Sequence, residues 1–147
     1  VRFVARHVPA LERAGLKLAL ETYVTLTCPD APSLKRVLDR LPPCVGAVID
    51  PPNLTPTARY PERDAALREM MRLLGPRIEV VHLKDFRLKS DGINYDLPGP
   101  LGGVMNYPLY LEELAKLPGN LPWIIEHVDP AGYRPTREKL LPLVQQH

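Results

Sequence analysis

Four residues able to ligate a metal ion or move a proton recur along the chain: Glu21, Asp50, His82 and Glu126. Each closes a short apolar run: LKLALE over 16–21, VGAVID over 45–50, RIEVVH over 77–82 and LPWIIE over 121–126. Near-continuous apolar runs of this length, three of them rich in β-branched or aromatic residues, predict strands buried on both faces of a parallel sheet. The carboxyl ends of parallel strands form the ligand-binding rim of an α/β sheet, so the four side chains are expected to converge on one face. Groups of these types at one rim suit cation binding and acid–base work.

The elements that must position them follow from periodicity. The intervals between the four residues are 29, 32 and 44 positions, and one strand-helix unit of a barrel of about 250 residues takes about 30. Leu34, Val37, Leu38 and Leu41, and again Leu67, Met70, Met71 and Leu74, recur at i, i+3, i+4, i+7, so each set is one apolar stripe of a helix. Asp30 is placed to cap the first, with Pro32 in its opening turn. Further helices are predicted over 108–117, over 135–145 and over 4–14, the last stopped by Gly15. Pro9 and Pro142 are expected to kink or shorten theirs. Strand and helix alternate, which defines an α/β architecture, either doubly wound or a β/α barrel. The last interval carries an insertion over 83–107, where Gly99, Gly102 and Gly103 could let a loop fold over a ligand.

Composition narrows the classes. Of 147 residues, 45% are hydrophobic and 24% charged, with a net charge of +2, which fits a globular protein that buries a core. The 18 prolines are more than twice the usual share of about 5%, and they punctuate the apolar runs. Near-zero net charge gives no footprint for nucleic acid or an anionic membrane. No apolar run approaches the roughly 20 residues of a membrane span, and no leader is recognisable, so a cytoplasmic location is expected. Cys28 and Cys44 form no zinc spacing; they fall at opposite ends of their strand-helix units, and no disulfide is expected between them.

In LALE ending at Glu21, IDPPN over 49–53, VHLKD over 81–85, PGPLGGVMNY over 98–107 and IIEH over 124–127, the chain resembles the xylose isomerase-like TIM barrels. That superfamily includes sugar phosphate isomerases and epimerases, inosose dehydratase and AP endonuclease family 2 repair nucleases. The resemblance implies that Glu21, Asp50, His82 and Glu126 ligate one divalent cation. Three carboxylates and one imidazole are a mostly hard set, suited to Mn²⁺ or Mg²⁺, then to Co²⁺ or Zn²⁺. It also implies a sugar or sugar phosphate substrate, with proton transfer through a metal-bound enediolate and Glu21 and Glu126 as the proton-moving pair. Lys84 and Asp85 either contact substrate, hold His82 from behind, or pair with each other. Asn53 is a candidate contact for a sugar hydroxyl or a simple turn residue, Arg87 a candidate for a phosphate or carboxylate. His127 is expected to be structural, and Arg59, Arg63, Arg68 and Arg72 to form a solvated helix face.

The nuclease branch carries a histidine where this chain has Asn53, which argues against a trinuclear nuclease. The family builds eight strands, whereas this chain supplies four. The resemblance therefore makes residues 1–147 a single domain: a partial barrel corresponding to strands five to eight, the C-terminal half of the enzyme. Open strand edges would then call for the missing N-terminal half or for self-association. A dehydratase or lyase on the same site, or a non-catalytic half-barrel remnant, are the alternative readings.

Overall fold

The computed structural model describes residues 1–146. Its helices are α1 (Arg2–Ala14), α2 (Ala31–Leu38), α3 (Pro51–Leu54), α4 (Arg63–Leu74), α5 (Tyr107–Leu114) and α6 (Pro130–Val144). Its strands are β1 (Leu18–Leu20), β2 (Val45–Ile49), β3 (Ile78–Leu83), β4 (Arg87–Leu88), β5 (Tyr95–Asp96) and β6 (Trp123–Ile125). β1, β2, β3 and β6 make one parallel sheet in that spatial order. Sheet order follows chain order without the reversal that marks a doubly wound fold. The helices repeat the sequence, with α2 against α4, α4 against α5 and α5 against α6. The sheet is therefore wound in one direction, as in a barrel wall.

The core lies between this sheet and its helices. Val45, Ala47 and Ile49 of β2 are fully buried, and they pack with Leu34 and Leu38 of α2 and with Leu67, Met70 and Leu74 of α4. Burial on both faces holds for β2 only. β1 is half-buried throughout and Ile124 of β6 is 45% exposed, because these edge strands have no neighbour on one side.

Local signals explain most helix boundaries. Gly15 adopts φ 63°, and the Gly15 and Leu16 amides donate to the Glu12 and Leu11 carbonyls at 3.1 and 2.9 Å, closing α1. Asp30 caps α2 through the Ser33 amide at 2.9 Å, while the Asp30 amide donates back to Ser33 Oγ. α2 then ends at Leu38, short of the predicted position 41. The Arg77 guanidinium meets the carbonyls that follow: it donates to Leu38, Leu41, Pro42 and Val45, fastening the α2–β2 turn to the base of β3. α6 begins at Pro130 rather than at 135, because Asp129 caps it at the Gly132 amide. α1 runs through Pro9, and α6 through Pro135 and Pro142, each proline omitting one backbone donor.

The 83–107 insertion is more ordered than a flexible loop. β4 and β5 pair as an antiparallel hairpin. Tyr95 stacks edge-on to Phe86 at 4.9 Å, and its hydroxyl donates to the Thr55 carbonyl at 2.9 Å. The arginines do not share one solvated helix face, since Arg59 lies in a 3₁₀ turn over Thr57–Glu62 ahead of α4. Arg68 and Arg72 are exposed, but Arg59 pairs with Glu69 at 3.0 Å, and Arg63 Nε donates to the Val104 carbonyl of the insertion at 3.0 Å. Cys28 and Cys44 are free thiols. No described helix is long and apolar enough to cross a membrane.

Candidate metal centre

Strand pleating decides which side chains reach the rim together. Alternate residues of a strand face opposite sides of the sheet. Trp123 and Ile125 pack toward the helices, so Ile124 and Glu126 face the other way. Likewise Val81 and Leu83 join the core, which sends His82 and Lys84 to the far face. Leu20 and Ile49 also pack into the core, and Glu21 and Asp50 follow them directly. All four candidate ligands thus leave the sheet on one side at one end. One nitrogen or oxygen atom from each lies within 4.8 Å of the others.

His82 Nδ1 is the meeting point. It stands 3.1 Å from Asp50 Oδ2, 3.2 Å from Glu126 Oε1 and 3.4 Å from Glu21 Oε1. An imidazole carries at most one proton on Nδ1, so three carboxylate oxygens crowd a single donor. The spread of these atoms is one that a single cation with oxygen distances of about 2.0–2.6 Å can gather, and the donor set is hard and anionic. The residues fit a divalent cation.

Neighbouring groups hold the carboxylates in place. Asp50 caps α3 through the Asn53 amide at 3.1 Å, and Asn53 Nδ2 donates to Glu21 Oε1 at 3.0 Å. Lys84 is 3% exposed, with Nζ 2.8 Å from Asp50 Oδ2 and 3.2 Å from Glu126 Oε2. Asn53 is thus a carboxylate holder, while its Oδ1 is buried without a hydrogen-bond partner among the described residues.

Burial by itself would lower the His82 pKa. The hydrogen bond to Asp50 and the charges of Glu126, Asp50 and Glu21 outweigh it and raise the imidazole above its ordinary value. Burial also opposes the Lys84 ammonium, but Asp50 and then Glu126 hold its pKa above the usual lysine range. The His82 shift has a consequence for stability. Because the folded-state value exceeds that of the unfolded chain, the imidazolium stabilises the metal-free fold fully below about pH 6.5 and less as pH rises through the folded pKa. The thermal midpoint measured with chelator present is expected to fall from about pH 6 to about pH 8 through this contribution. A His82→Gln variant that falls equally over that range would contradict it.

A family model described as xylose isomerase-like TIM barrel matches residues 1–142. The chain belongs to the xylose isomerase-like TIM barrel family. No curated protein and no solved structure matches it. In this TIM-barrel chain the motif residues divide between two faces. Lys84 joins the site, but Asp85 turns away, its Oδ1 accepting from the Phe86 and Met105 amides at 2.8 and 2.9 Å. Gly103 presses so close that a Cβ would stand 2.3 Å from that oxygen. Among the described residues Asp85 makes no ion pair with Lys84, whose ammonium goes to Asp50 and Glu126 instead. Arg87 is exposed and donates to the Gly102 carbonyl at 2.7 Å, fixing the glycine-rich turn instead of pointing at the ligand set. His127 is exposed at φ 55°, with its carbonyl against Gly99.

Two supports were missed. Tyr107 and Tyr110 of α5 donate to the carbonyls of Lys84 and His82 at 2.9 and 3.0 Å. Burial raises both phenol pKa values, so each stays a donor. The helix predicted over 108–117 begins one residue too late to include Tyr107, so the i, i+3 pair that α5 places on one face was not read as such.

Proposed function

We propose that residues 1–147 are the C-terminal half of a divalent-metal-dependent isomerase or epimerase acting on a sugar or sugar phosphate, corresponding to strands five to eight of its barrel. The observation that carries this reading is the convergence of Glu21, Asp50, His82 and Glu126, one at the end of each strand of the parallel sheet, within 4.8 Å. The two sheet edges, β1 and β6, are where the remaining strands or a second copy of the chain would pair.

In this reading the four residues hold a Mn²⁺ or Mg²⁺ ion. When bound, the ion supplies Lewis-acid polarisation of a substrate carbonyl, which makes the adjacent C–H more acidic. The protein moves the proton. Glu21 and Glu126 stand at opposite edges of the sheet, so one can abstract from one side of a planar enediolate and the other return a proton from the opposite side. Glu21 Oε1 accepts from Asn53 Nδ2, which leaves Oε2 to take the proton. Glu126 Oε2 is held by Lys84. The partnerless Asn53 Oδ1 accepts a substrate hydroxyl beside Glu21.

Glu126→Gln preserves shape and removes the base. In the full-length protein, exchange of the substrate α-hydrogen with D₂O, followed by NMR in the presence of Mn²⁺, is expected to slow by about 10²–10⁴. Exchange unaffected by the substitution or by chelator defeats the assignment. Loss of water from the substrate, with mass not conserved, would point instead to a dehydratase. Absence of divalent-metal binding by calorimetry would leave a non-catalytic remnant.

A further inference from the structure

Lys84 is the most enclosed charged side chain at the centre after Asp50. Its side chain is 4% exposed, against 26% for Glu126 and 45% for Glu21. Pleating sends it to the same face as His82, and Tyr107 fixes its backbone by donating to its carbonyl at 2.9 Å. Nζ reaches two different carboxylates, Asp50 Oδ2 and Glu126 Oε2. It therefore binds one oxygen of Glu126 and leaves Oε1, 3.2 Å from His82 Nδ1, turned toward the other ligand atoms.

The charges make this position informative. Glu21, Asp50 and Glu126 contribute three negative charges and Lys84 one positive, so with a neutral imidazole the cluster carries −2. Charge left uncompensated in a partly buried site is unfavourable, and a divalent ion brings the sum to zero. We infer that Lys84 is a positioning residue that orients Glu126 and sets the site's charge to match a divalent cation against a trivalent one. This rests on the proposed metal centre. A guest of charge +3 would suffer more from the fixed ammonium than one of charge +2, because Coulomb repulsion grows in proportion to the charge.

Calorimetric titration of the metal-free chain with Mn²⁺ and with Tb³⁺ tests it, on wild type, Lys84→Met and Lys84→Arg. Methionine keeps the length and removes the charge, and is expected to shift the affinity ratio toward Tb³⁺ by about tenfold or more. Arginine keeps the charge and is expected to leave the ratio within about twofold of wild type. A purely structural lysine would lower both affinities together and leave the ratio alone, which overturns the inference while sparing the metal centre. Wild type that binds neither ion overturns both. If Lys84→Met does not fold, as judged by circular dichroism, Lys84→Gln, which also removes the charge, decides: a ratio shifted toward Tb³⁺ by about tenfold or more supports the charge assignment, and an unchanged ratio refutes it.

Discussion

Asp50→Ala is expected to abolish measurable Mn²⁺ binding and to destabilise the chain by about 3 kcal/mol or more, the scale for removing one partner of a buried ion pair. Asp50 is 1% exposed and serves three neighbours at once. Oδ1 caps α3 through the Asn53 amide, and Oδ2 faces both Lys84 Nζ at 2.8 Å and His82 Nδ1 at 3.1 Å. Without it, Lys84 retains only Glu126, at 3.2 Å, to offset its burial. Asn53 also loses the contact that sets it against Glu21. Asp50→Asn separates the effects, since the amide oxygen can still cap α3 while the NH₂ group faces an ammonium. Calorimetry should show the same loss of metal binding in both variants, and urea denaturation a smaller loss of stability for asparagine. An Asp50→Ala protein that binds Mn²⁺ as wild type does would remove Asp50 from the ligand set.

Asp85→Ala is expected to cost about 2–5 kcal/mol, because two amides that bond to one carboxylate oxygen lose their acceptor, at about 1–3 kcal/mol each when buried. The donors are Phe86 and Met105, at 2.8 and 2.9 Å, and the carboxylate is 1% exposed. The Phe86 bond is local, whereas the Met105 bond joins the exit of β3 to the far end of the insertion, with Gly103 packed against the same carboxylate. Asp85→Asn keeps an oxygen acceptor and should fall within about 1 kcal/mol of wild type. Chemical denaturation reads both values. Folded Asp85→Asn should bind Mn²⁺ with nearly wild-type affinity, because Asp85 touches none of the four candidate ligands. Lost metal or substrate affinity at unchanged stability would restore a binding role to Asp85.

These two aspartates show where reading residues in order succeeds and where it stops. Glu21, Asp50, His82 and Glu126 were visible because each ends an apolar run, and a parallel sheet presents all its strand ends at one rim. The caps at Asp30 and Gly15 were equally visible, being contacts within four residues. VHLKD did not reveal which of Lys84 and Asp85 lies beside the four candidate ligands. Both follow the ligand histidine, and only the pleat of β3 together with the core on its other face sends Lys84 toward Asp50 and Asp85 toward Met105.

The insertion over 83–107 escaped for a related reason. Its glycines suggested freedom, whereas bonds to distant residues give it order: Tyr95 to Thr55, Arg63 to Val104, Arg87 to Gly102. The start of α6 at Pro130 was missed although Asp129 is a local cap, because the prolines inside the helix argued for a later beginning. The sequence by itself determined the alternation of strand and helix, the four strand-end side chains and their common rim, since these follow from short-range periodicity and from the direction of parallel strands. Only the tertiary structure decided that Asn53 and Lys84 hold the carboxylates, that Tyr107 and Tyr110 brace β3 from behind, and that Asp85 and Arg87 serve the loop, because those contacts join residues 15–42 positions apart. Such distances are closed by packing of the whole sheet, and no local pattern encodes them.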